Sequence, residues 1–154
     1  MTQGIRTQTL MVLIASMLLV MLGGGSGAVA RFGCQKAVEC WTPLPGWMAI
    51  FIVNIMGSFL IGIGFGALHG FELVDRTSHM TLVQHFRAAQ DIQMGFALFV
   101  TGFCGGFTTF STFSLDNLFL IYQHPAQMIF NILGSLFIAT LAAWGGLVVG
   151  ATFA

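Results

Sequence analysis

The placement of charge constrains this chain more than any other feature. Its 154 residues hold five basic and five acidic side chains, 6% of the total, where soluble domains carry roughly 25%. A chain so poor in charge cannot cover a compact surface with water-compatible groups, and a bilayer is its natural solvent. The mean hydropathy of +0.90 and the 20 glycines agree, because glycine is commoner in membrane helices than in soluble ones. The formal net charge is zero, so no basic surface points to nucleic acid.

The apolar runs predict an all-α membrane protein, one transmembrane domain over 1–154 with four spans. They lie at roughly Thr9–Ala30, Trp47–Leu68, Gly95–Ile121 and Gln127–Phe153, each long enough to cross hydrocarbon as a helix. Pro43-Leu44-Pro45-Gly46 and His124-Pro125 punctuate them. Arg6 followed by Leu10–Leu22 looks like the start of a signal peptide, but the apolar run continues through Gly23–Ala30 and is read as a retained helix. Trp41, Trp47 and Tyr122 fall near span ends, where amphipathic rings favour the headgroup zone. The polar stretch His69–Gln93 is read as a loop leading into a short interfacial helix over Met80–Gln93. Cys34 and Cys40 share the expected loop Phe32–Pro45 and are either free thiols or a pair in an oxidising compartment. With Cys104 they make no metal-binding spacing.

Lys and Arg near the span ends set orientation. Arg6, Arg76 and Arg87 lie on one side and Arg31 and Lys36 on the other, which is almost no bias. Two outcomes stay open: a fixed topology set by weak signals, or insertion both ways up, which lets two copies pair antiparallel. Four helices enclose little of a pore alone, which favours an oligomer. Small residues repeat every four positions at Gly23 and Gly27, at Asn54, Ser58, Gly62 and Gly66, and at Ala142, Gly146 and Gly150. Such strips let helix backbones approach closely and specify packing rather than function.

The third span carries the chemistry. Gly105-Gly106 weakens a helix there, and after Phe107 come five hydroxyl residues within seven positions, Thr108, Thr109, Ser111, Thr112 and Ser114. Irregular backbone survives in a membrane only where it is buried in protein or lines a cavity. Carbonyls freed at a break can hold a cation, and freed N–H groups can face an anion. The span is therefore expected to break near mid-membrane; the alternative is a continuous helix whose hydroxyls bond back to their own carbonyls. Phe110 and Phe113 share a helix face, and their positive ring edges can partly solvate a small anion, though packing against lipid or neighbours is the simpler account of two phenylalanines among sixteen. Asn54 is an intramembrane amide that either donates to an anion or bonds a neighbouring helix. Asn131 and Ser135 extend a polar track on the fourth span. Asp116 is an ionisable group within the third span, a functional candidate by its cost alone. Arg31 either draws anions to a vestibule or simply snorkels.

These residues resemble the Fluc-type fluoride channels, also called the CrcB family. The match rests on Gly24-Gly25-Ser26-Gly27-Ala28-Val29-Ala30-Arg31, on Val53-Asn54-Ile55-Met56-Gly57-Ser58-Phe59-Leu60-Ile61-Gly62, on Gly102 through Ser114 with its unbroken Thr108-Thr109-Phe110-Ser111-Thr112-Phe113-Ser114, and more weakly on Asn131-Ile132-Leu133-Gly134-Ser135. The resemblance implies an antiparallel, dual-topology homodimer with two fluoride pathways, multi-pass in the inner membrane. It places the pathway at Asn54, Phe110, Phe113, Ser135, Thr109, Thr112 and Arg31. It also implies a structural Na+ at the dimer interface, held by the backbone carbonyls of Gly105 and Thr108 from each subunit. The acid after the aromatic pair is usually Glu in the family and is Asp116 here.

The expected activity is passive. Fluoride enters cells as HF, dissociates in neutral cytoplasm and leaves through a channel driven by membrane potential. No enzymatic role is expected, and the chain has no phosphate-binding glycine loop. The rivals are a small dual-topology secondary transporter exporting cationic compounds, which needs an embedded carboxylate such as Asp116, and a non-transporting assembly subunit.

Overall fold

A computed structural model describes the backbone of residues 2–75 and 93–153, with side chains over 8–67 and 93–153. Among them every regular element is helical: α1 (Thr2–Trp41), α2 (Gly46–Asp75), the π-wound α3 (Phe96–Cys104), the single turn α4 (Gly105–Phe107), α5 (Phe110–Gln123) and α6 (Pro125–Ala151). Four stretches among the described residues are long and apolar enough to cross a membrane: Gln8–Trp41, Gly46–Ala67, Gln93–Gln123 and Pro125–Ala151. The third comprises α3, α4 and α5.

Two boundaries differ from the sequence expectation. The helix that begins the chain runs past Ala30 to Trp41, so the expected loop Phe32–Pro45 is helical over most of its length. Nothing between Phe32 and Trp41 forces a stop, and Lys36 Nζ meets Glu39 Oε2 at 2.6 Å one turn apart. The stop comes at Thr42, whose N–H and Oγ1 both donate to the Val38 carbonyl at 3.1 and 2.7 Å, because Pro43 cannot continue the ladder. Cys34 and Cys40 are free and stand six residues apart on one rigid helix. That is about 9 Å along the axis, too far for a disulfide. Likewise α2 continues through His69 to Asp75, where a loop was expected. Most of the expected interfacial helix Met80–Gln93, with Arg76 and Arg87, lies outside the described residues.

Packing follows the glycines. Among the described residues the α2–α6 contact is the most extensive and α1–α3 the next. A Cβ on Gly62 would collide with the Ala143 carbonyl, and one on Gly146 with the Phe59 carbonyl, so α2 and α6 touch backbone to backbone. The polar-and-small strip on α2 thus divides: Gly62 and Gly66 seat α6, while Asn54 and Ser58 remain for the site. Aromatic rings complete the seam, with Trp47 edge-on to Phe51 and Phe130 at 6.2 Å each. Gly146→Leu is expected to cost about 3 kcal/mol or more, since no rotamer relieves a clash with backbone. Loss of monodisperse protein on size-exclusion chromatography checks this.

The apolar residues on the outside are as informative as the core. Met21, Leu22 and Val29 of α1 and Leu136, Phe137, Leu141 and Trp144 of α6 are each more than 60% exposed in the single chain. Exposed apolar surface on this scale needs lipid or another protein against it.

Candidate functional site

The site forms where the third span leaves helical geometry. Thr108 (φ −82°, ψ 157°) and Thr109 (φ −150°, ψ 122°) are extended. Two glycines of low helix propensity followed by two β-branched residues favour this locally. Neighbouring groups then satisfy the freed backbone. The Thr108 N–H and Oγ1 both donate to the Cys104 carbonyl at 2.9 Å. Thr109 caps α5, its Oγ1 accepting from the Thr112 N–H at 3.3 Å and lying 3.1 Å from Ser111 Oγ and 3.2 Å from Thr112 Oγ1.

Across from it, Asn54 acts as a splint. Its Oδ1 accepts from the Thr109 N–H at 2.9 Å and its Nδ2 donates to the Thr109 carbonyl at 3.2 Å. One side-chain amide thereby copies a strand's two bonds and holds the extended residue in place. Asn54 therefore makes the interhelical bond that the sequence left as one of two roles. The other role survives, because Nδ2 carries a second hydrogen and Asn54 lines the neighbouring cavity. Ser58 Oγ, one turn on, donates back to the Asn54 carbonyl at 2.8 Å.

That cavity has a volume of about 450 Å³ and is lined by Asn54, Ser58, Thr108, Thr109, Phe110, Phe113 and Ser135, with Ile61, Ile132 and Leu136 as apolar walls. The first turn of α5 borders it. Helix N-termini carry amides without intrahelical acceptors and a positive dipole end, so the Phe110 and Ser111 N–H groups make this end hospitable to an anion. The Phe110 and Phe113 rings lie 5.8 Å apart, tilted by 37°, and Phe110 is 79% exposed in the single chain. The chemistry offered is hydroxyl and amide donors beside two phenylalanine rings, with no nucleophile–base pair among the lining residues. Among the described residues no cluster of His, Cys, Asp or Glu could hold a metal ion.

The family model for CrcB-like protein, Camphor Resistance (CrcB), matches residues 18–147. The chain belongs to the CrcB family. Similar curated proteins are the fluoride-specific ion channels FluC of Salmonella newport (strain SL254), Salmonella agona (strain SL483) and Salmonella heidelberg (strain SL476). Each is 33% identical over 135 residues, covering 83% of this chain and 91% of the relative.

Of the residues expected on the pathway of this CrcB chain, Asn54, Thr109, Phe110, Phe113 and Ser135 meet around one cavity. Thr112 sits behind them as a partner of Thr109. Arg31 is on α1 and outside the lining. Thr108 lines the cavity, whereas Gly105 is exposed, with open space around it. Asp116 Oδ2 is buried without a hydrogen-bond partner. Sequence reasoning missed Asn117, which is buried and bonded to Asn131 at 3.1 Å. The rule that a buried amide needs a partner was the available signal, because Asn131 had no assigned one.

Proposed function

We propose that this chain is a fluoride-selective channel, working as an antiparallel, dual-topology homodimer in the inner membrane. The observation that carries the reading is the cavity at the start of α5, where hydroxyls, an amide and two phenylalanine rings converge in a chain whose relatives bear the name fluoride-specific ion channel. Fluoride is small and holds water tightly, so a passage must replace that water with short donors. The Thr109 and Ser135 hydroxyls, the remaining Asn54 N–H and the α5 amides offer them. Phenylalanine edges add positive potential in a dry setting, where it counts for more than in water. Chloride, larger and less strongly hydrated, gains less from a narrow slot of this kind.

The dimer rests on separate support. One chain leaves Phe110 bare and much apolar surface uncovered, and its small charge bias is compatible with insertion in both orientations. Its interrupted third span, near mid-membrane, leaves carbonyls to be satisfied. The Thr109 N–H goes to Asn54 rather than to the Gly105 carbonyl, the bond an unbroken helix would make. The Gly105 carbonyl so freed supports the reading that Gly105 and Thr108 would supply half of an oxygen set for a structural Na+, completed by the same pair from a second copy. Such an ion would neutralise backbone dipoles and hold the two breaks together.

The channel is passive. Membrane potential supplies about 2.3 kcal/mol per charge per 100 mV to expel the anion. Away from the Lys36–Glu39 pair, Asp116 is the only carboxylate in the four candidate spans, which leaves a proton-coupled cation exporter little to work with. The test is efflux from fluoride-loaded and chloride-loaded proteoliposomes. Rapid fluoride release with chloride retained is expected; equal release of both, or of neither, would refute the reading.

A further inference from the structure

Asn131 is 1% exposed on α6, within an apolar span, yet it lies outside the cavity lining. Its Nδ2 donates to Asn117 Oδ1 at 3.1 Å, and Asn117 Nδ2 donates to the Phe113 carbonyl at 2.8 Å. On the other side Ser135 Oγ donates to Asn131 Oδ1 at 3.4 Å. The two ends of this chain of bonds, Phe113 and Ser135, both line the cavity. They stand on different helices, α5 and α6, whose mutual contact is far smaller than that of α2 with α6.

We infer that Asn117 and Asn131 are positioning residues, a buried amide clasp that sets the distance between the Phe113 ring and the Ser135 hydroxyl across the passage. The inference rests on the channel reading above. Stability alone gives no reason for the pair: two apolar side chains of similar volume would pack there without desolvating two amides, and such double replacements are often nearly neutral. Orientation does give a reason. The Asn117 side chain adds a second donor to the Phe113 carbonyl, beyond the helical one, and so pins the turn that carries the ring. At 3.4 Å the Ser135 bond is long and weak. The clasp thus holds the Ser135 hydroxyl within the wall while leaving its hydrogen free to turn toward a passing anion. With little other α5–α6 packing, loss of the clasp lets the two walls move independently.

The experiment compares Asn117→Leu, Asn131→Leu and the double variant Asn117→Leu/Asn131→Leu for thermal stability and for fluoride and chloride efflux. Each single variant leaves one buried amide without its partner and is expected to be less stable than wild type. The double variant is expected to recover most of that loss while its fluoride efflux stays about tenfold below wild type, the scale of a lost positioning interaction. A double variant with recovered stability and wild-type efflux would overturn the clasp and leave a packing pair. Asn117→Gln is a second variant that keeps the amide but moves it by one methylene. Reduced efflux from well-folded protein is expected, and unchanged efflux counts against the clasp whatever the double variant does. Failure of the wild type itself to release fluoride would instead refute the channel reading, and non-additive stabilities of the three Leu variants would still report the pair.

Discussion

Asn54→Asp is expected to lower fluoride efflux from proteoliposomes by about a hundredfold or more, the rate equivalent of the ~3 kcal/mol at stake when a buried hydrogen bond to a charged group goes wrong. Asn54 serves Thr109 with an acceptor at 2.9 Å and a donor at 3.2 Å. An ionised Asp keeps the first and loses the second, so the Thr109 carbonyl is left with a carboxylate oxygen where it had a donor. The same change puts negative charge into the wall of an anion passage, where low dielectric magnifies repulsion. Both effects act in one direction. Efflux within a few-fold of wild type would mean that Asn54 neither splints the break nor faces the passage.

The second large effect is expected from Phe110→Ile. Isoleucine keeps the apolar bulk and removes the ring with its positive edge. Phe110 is 79% exposed in the single chain, so the helix packing of that chain does not depend on it. Fluoride efflux is expected to fall by about tenfold, equivalent to ~1.4 kcal/mol in the barrier to passage, with the thermal unfolding midpoint nearly unchanged. That split between activity and stability is diagnostic. Parallel loss of both would identify the ring as a packing element, and wild-type efflux would remove it from the pathway.

How much of this was legible in the sequence depended on the kind of interaction. Low charge density and uninterrupted apolar runs announced four membrane-crossing helices, because hydrocarbon leaves no other solution for such a chain. Gly105-Gly106 and the hydroxyl run marked the site, because that composition is costly in lipid unless backbone and side chains find partners. The helix ends were less legible. Extension of α1 to Trp41 depends on the absence of a stop signal and on the Lys36–Glu39 pair, and π winding over Phe96–Cys104 leaves no periodic mark in so uniformly apolar a stretch. Asn117 was passed over because its partner is fourteen residues away on another helix, and only the fold brings the two amides together. The bonding of Asn54 to Thr109 has the same origin: its side chain is legible as polar, but the residue it bonds is set by tertiary contact.

The most direct test of fluoride passage through the α5 cavity is a reversal-potential measurement in a planar bilayer holding purified protein, with a tenfold fluoride gradient and chloride balancing the charge. A passive fluoride-selective passage is expected to reverse at about 59 mV in magnitude, the value for one charge per tenfold gradient, unmoved by an imposed pH difference. Reversal near zero, or a potential that shifts with the proton gradient, would contradict it.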